Sequence, residues 1–83
     1  MPEVSIGKVT HYFGKISVAI IKLTEPLKVG QTVHFKGAHT DFTQAVDSMQ
    51  IEHVNVEEAK VGDDVGLKAL EKVHEGDQVF LVT

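Results

Sequence analysis

The stretch Val46–Leu67, VDSMQIEHVNVEEAKVGDDVGL, decides the fold. Its apolar residues Val46, Met49 and Ile51 belong on an inner face, yet the step from 46 to 49 is odd, and a regular strand alternates faces. A bulge near Asp47-Ser48 would restore the phase. Further on, Lys60-Val61-Gly62-Asp63-Asp64-Val65 places a glycine in a tight turn, a polar residue after it to hold the turn backbone, and a valine as the first inward residue of a strand. The pattern recurs as Lys28-Val29-Gly30-Gln31-Thr32-Val33 and as His74-Glu75-Gly76-Asp77-Gln78-Val79. Each copy marks a strand entry, and the unequal spacing argues against a solenoid repeat.

Working outward, the chain reads as strands at Val4–Tyr12, Ile16–Leu23, Thr32–Lys36, Phe42–Val54, Val65–Leu70 and Gln78–Val82. Gly14 is placed to close the first hairpin with a positive φ, and Pro26 and Gly30 bracket a turn. Only Glu57–Lys60 has a helix-friendly composition, enough for one turn. Six short strands without intervening helices predict an all-β, closed Greek-key barrel, since closure removes the edges a small sheet would expose. With 83 residues the chain is one domain, 1–83, with a single core and little surplus stability.

On Val46, Ser48, Met49, Ile51, Ala59 and Gly62-Asp63-Asp64-Val65-Gly66, with Ile6-Gly7-x-Val9 and Leu27-x-x-Gly30 upstream, the chain resembles domain 2 of the archaeal and eukaryotic elongation factors that carry aminoacyl-tRNA. The likeness to domain 2 of elongation factor Tu is looser. The resemblance spans roughly residues 4 to 82 and implies a six-stranded barrel. It also implies that the strand holding Gln50 lines a pocket for the terminal adenosine of tRNA, although Gln50 stands where the family has a glutamate. The family's Gly-Arg-Val run on strand two is replaced by Ala19-Ile20-Ile21-Lys22. Similar barrels occur as C-terminal domains of U32-family peptidases. No G-x-x-x-x-G-K-[ST] loop is present, so the resemblance carries no GTPase with it.

Charge is divided unevenly. Residues 1–40 carry five lysines, Lys8, Lys15, Lys22, Lys28 and Lys36, against Glu3 and Glu25, giving +3, whereas residues 41–83 carry three lysines and ten carboxylates, giving −7. There is no arginine, so the planar fork that reads phosphate bidentately is missing and any nucleic-acid contact falls to lysine point charges. Lys15, Lys22 and Lys28 are the candidates, with Tyr12, Phe13 and Phe42 as the aromatics left for base stacking once Phe35 and Phe80 are given to the core. The absence of cysteine excludes thiolate catalysis, disulfides and thiolate metal sites, and the apolar runs are far short of a membrane span. A cytoplasmic protein is expected.

Strand two is apolar on both faces. Ile16, Val18 and Ile20 share one side, Ala19, Ile21 and Leu23 the other, and one set must meet something outside the barrel. The interface candidates are Ala19, Ile21 and Leu23. Their cover is either the domain's own loops and termini or a second protein, a homodimer mate included.

Catalytic constellations are absent. His34, His39 and Asp41 flank one turn but no spacing makes them converge on a metal. His53 and His74 with Asp64 or Asp77 and Ser48 assemble into a triad only on paper, while Asp63, Asp64 and Asp77 read as turn residues and solvated charges. No catalytic residue, metal or cofactor is expected. The leading expectation is a translation-factor-like binding module that contacts RNA or a ribosome-associated partner. The alternative is an accessory domain that docks on a partner enzyme such as a U32-like peptidase, or that dimerises.

Overall fold

Ten strands and no helix make up the computed structural model, which describes residues 3–82. They are β1 Glu3–Phe13, β2 Val18–Leu23, β3 Leu27–Lys28, β4 Thr32–Lys36, β5 Asp41–Ala45, β6 Met49–Ile51, β7 Val54–Val56, β8 Glu58–Ala59, β9 Asp64–Lys68 and β10 Gln78–Val82. Eight form one sheet in the order β5-β4-β10-β1-β2-β9-β6-β7, and β3 pairs with β8 as a separate ribbon. Every ladder is antiparallel.

The three glycine turns form as the sequence predicts. Gly30, Gly62 and Gly76 have φ of 98°, 90° and 90°, the third position of a type II turn. In each, the following polar side chain accepts from the backbone N–H three residues earlier: Gln31 from Lys28 at 2.8 Å, Asp63 from Lys60 at 2.8 Å and Asp77 from His74 at 2.9 Å. The valines two residues beyond those side chains, Val33, Val65 and Val79, are fully buried. The first hairpin differs from expectation. Gly14 does not take a positive φ; Ser17 does, at 58°.

The predicted strand Phe42–Val54 breaks into β5, β6 and β7. β5 pairs only with β4 at one end of the sheet order, while β6 pairs with β9 near the other end. Val46–Ser48 carries the chain across, and this crossing, in place of a bulge within one strand, lets Val46 and Met49 both be buried. Glu57–Lys60 makes no helical turn. Ala59 faces the core opposite Leu27, and pairing β8 with β3 puts both side chains out of water.

The sheet is not closed into a barrel, because among the described residues the outer strands β5 and β7 share no ladder. A side chain links β5 to the end of β9 and the residues just after it. Gln44 on β5 donates from Nε2 to the Lys68 carbonyl and accepts at Oε1 from the Leu70 N–H, both at 2.8 Å, so one buried amide supplies the bond pair that a strand neighbour would give. The core inside the coiled sheet includes Ile6, Val9, Ile21, Leu23, Leu27, Phe35, Met49 and Leu67. Ile6 and Val9 are an odd step apart, and both turn inward because β1 is irregular between Ser5 and Gly7 and again between Val9 and His11. At Gly7 a Cβ would stand 2.6 Å from the Lys22 carbonyl oxygen, so no larger residue fits against β2.

Candidate functional site

Strand β2 has the two-faced character its sequence predicts, with the assignment of faces reversed. Ala19, Ile21 and Leu23 are buried at 0%, 0% and 1% exposure, so the interface candidates line the core and are closed to any partner. The register puts Val18 beside Phe13 of β1 and Lys68 of β9, and Ile20 beside His11 and Gly66. Phe13, Ile16, Val18 and Ile20 make the outward apolar stripe, with His11 and Lys68 beside it. Phe13 and Ile16 are 45% and 61% exposed, a solvation cost that the described residues do not relieve.

The stripe floors a groove of about 340 Å³ lined by Phe13, Ile16, Val18, Ile20 and Gly66, with Gln50, Glu52, His53 and Asp64 at its polar edge. Gln50 sits on β6 opposite Gly66, and its Nε2 donates to Asn55 Oδ1 at 3.0 Å. Glu52 and His53 form the two-residue turn between Ile51 and Val54, with φ of 52° and 65°. Both central residues of such a turn need positive φ, which Asn-Gly supplies at little cost and Glu-His does not. Ser17, the third non-glycine residue with positive φ among those described, ends the β1–β2 turn next to Ile16 and Val18. Strained backbone thus gathers at the ends of this one groove.

The remaining candidates do not assemble. Lys15 lies in the β1–β2 turn and Lys22 near the far end of β2, about 20 Å away at strand rise. Lys28 is on the separate ribbon opposite Glu58. Tyr12 and Phe42 are half-buried against the core, and Phe42 stacks on Phe35 with centroids 5.1 Å apart. Of the three aromatics only Phe13 is exposed, beside His11 at 4.5 Å, so no stacking platform forms. The sequence singles out His53 and Asp64 only as members of a triad on paper, and it does not single out Glu52. No signal marked the turn, because Ile51 and Val54 are separated by two residues that are neither glycine nor asparagine.

The histidines divide into structural clusters. His34 on β4 is gripped at Nδ1 by Glu3 at 2.8 Å and at Nε2 by Asp41. Carboxylates only accept, so both ring nitrogens donate and the imidazolium is the form held. The Asp41 hydrogen bond, and after it Glu3, raise the pKa of His34 above its ordinary value, against an opposing push from burial. His39 is elsewhere, near His74 with ring centroids 6.2 Å apart. Among the described residues no three His, Asp or Glu side chains converge on a metal position. Asp77, buried in its turn, accepts a hydrogen bond from the Thr40 hydroxyl at Oδ2. No described helix is long and apolar enough to cross a membrane.

The same fold is found in solved structures. The chain superposes with a TM-score of 0.90 on the C-terminal domain of a Geobacillus thermoleovorans protein assigned as a U32 peptidase, at 18% identity, covering 96% of this chain and 93% of that domain. A selenomethionine variant of that domain gives a TM-score of 0.86 at 19% identity, over 90% of this chain and 95% of its own. By sequence, the chain is 43% identical over 81 residues to an uncharacterized protease of Methanocaldococcus jannaschii; the match takes in 96% of this chain but 20% of that protein. The chain therefore spans about a fifth of the length of that relative. No protein-family model matches the chain. The bacterial domain and the archaeal protein are both peptidase-linked, and the elongation-factor resemblance rests on the sequence motifs alone.

Proposed function

We propose that this chain is a non-catalytic accessory domain that docks, through the outer face of β2, on the body of a U32-type peptidase. The observation that carries the reading is the exposed stripe Phe13, Ile16, Val18 and Ile20, a groove floor with no cover from the described residues. Support comes from the Methanocaldococcus jannaschii protease, in which the matching segment is joined to a body about four times its size, given the 20% coverage. The best-organised polar cluster favours a structural role over catalysis. The Thr40 hydroxyl donates its hydrogen bond to Asp77, so in its 3.3 Å contact with His74 Nδ1 the hydroxyl oxygen accepts, and the hydroxyl is held by a carboxylate that already caps a turn. An RNA contact has less support, since Lys15 and Lys22 stand on different ends of the β1–β2 hairpin, Lys28 is on the separate ribbon opposite Glu58, and Tyr12 and Phe42 are tied to the core.

The test is to add a purified U32-type peptidase to the isotope-labelled chain and follow its backbone resonances. Broadening confined to Phe13, Ile16, Val18, Ile20 and their neighbours is expected. A spectrum unchanged at high micromolar peptidase, or broadening centred on β4 and β5, would refute this docking face.

A further inference from the structure

Resting on the reading that the groove receives a protein, we propose that its occupant is an extended segment with one bulky apolar side chain next to a lysine or arginine. The floor is wholly apolar, and Gly66 opposite Ile20 has no side chain to fill the space beside it. At the edge stand Glu52 on the β6–β7 turn and Asp64 at the start of β9, and neither forms an ion pair among the described residues. No described lysine lines the groove. An apolar side chain entering alone would strip water from these carboxylates without compensation, and an acidic neighbour would be repelled. A cation beside the apolar anchor answers both.

The geometry ranks the two carboxylates. Asp64 has Lys22 as its cross-strand neighbour on β2, so part of its field is already answered from this chain. Glu52 has no such neighbour; its cross-turn companion is His53, and the turn holds it in a left-handed conformation. Gln50 uses one of its two amide N–H groups on Asn55, and its Oε1 remains as a further acceptor for an ammonium, a guanidinium or a backbone N–H of the bound segment. Glu52 is accordingly the main specificity residue, with Asp64 second.

The experiment titrates three short probes into the isotope-labelled chain: a Gly/Ser-flanked Leu-Lys peptide, its Leu-Glu counterpart, and a uridine-rich single-stranded oligonucleotide. The Leu-Lys peptide is expected to shift Val18, Ile20, Glu52 and Asp64 saturably and to bind roughly three- to tenfold more tightly than Leu-Glu, the discrimination that one or two exposed charge contacts provide. Glu52→Gln should remove most of that preference and Asp64→Asn less of it. Equal affinity of the two peptides, a preference that survives Glu52→Gln, no groove shifts with either peptide, or shifts there from the oligonucleotide alone would each overturn the proposal. If the peptidase still docks on β2 while the peptides show no preference, the docking reading stands and the basic-anchor chemistry falls.

Discussion

Exchanging the groove turn for a relaxed one, Glu52→Asn with His53→Gly, should make the domain more stable and its docking weaker. Both residues stand at positive φ, 52° and 65°, where a side chain with Cβ pays roughly 1–2 kcal/mol. Asparagine tolerates that region and glycine is free in it, while the added glycine returns about 0.5–1 kcal/mol through the greater freedom of the unfolded chain. Both side chains are solvent-exposed and Glu52 makes no ion pair among the described residues, so little packing is lost against the strain relieved. The net is about 1 kcal/mol of stabilisation, or a melting temperature higher by about 4–8 °C in a domain of this size. Thermal and urea denaturation of the double variant measure it, alongside binding to the peptidase. An unchanged or lowered midpoint would refute the claim that strain is stored in this turn. A raised midpoint with undiminished docking would separate that strain from function.

Three further outcomes follow from the fold. Ile21→Lys should unfold the domain, because it trades a fully buried side chain for an unpaired ammonium at a cost of several kcal/mol, whereas Ile20→Lys on the outer face should stay within about 1 kcal/mol of wild type by urea titration. Gly37→Ala should cost about 2–4 kcal/mol, since its methyl would collide with the Asp77 carboxylate and displace it from Thr40 and the His74 N–H; in an Asp77→Ala background the same change should cost much less, read as a double-mutant cycle. His34 has a raised folded pKa from Asp41 and Glu3, so its stabilisation is fully present below about pH 6.5, the unfolded value, and lost as pH rises through the folded one. The difference in urea midpoint between wild type and His34→Gln should therefore shrink from mildly acidic toward alkaline pH, and a constant difference would show that the imidazolium is not what the two carboxylates hold.

Turn chemistry was the most legible layer of the sequence. Gly30, Gly62 and Gly76 with Gln31, Asp63 and Asp77 are local devices, complete within four residues, and their geometry follows from residue type. The apolar doubling of β2 was legible as well, but which face pointed inward was not. That choice depends on the register of β1, whose bulge near Val9–His11 shifts the partners of β2 in a way no local pattern encodes. The barrel failed to close for a similar non-local reason: Val46–Ser48 crosses between strands, and β5 reaches the end of β9 only through the Gln44 side chain. Of the groove, Gln50 was found through the resemblance. Asp64 reads as a turn residue and solvated charge, and Glu52 carries no pattern of its own, until the sheet sets both at one apolar opening.

The most direct test is calorimetric titration of the chain into a U32-type peptidase, wild type beside Ile20→Lys, with both first shown to be folded by circular dichroism. Saturable binding by the wild-type chain, weakened at least tenfold by Ile20→Lys, roughly 1.4 kcal/mol, is the predicted result. Equal affinity of the two folded proteins, or no binding by the wild type, would contradict docking through the outer face of β2.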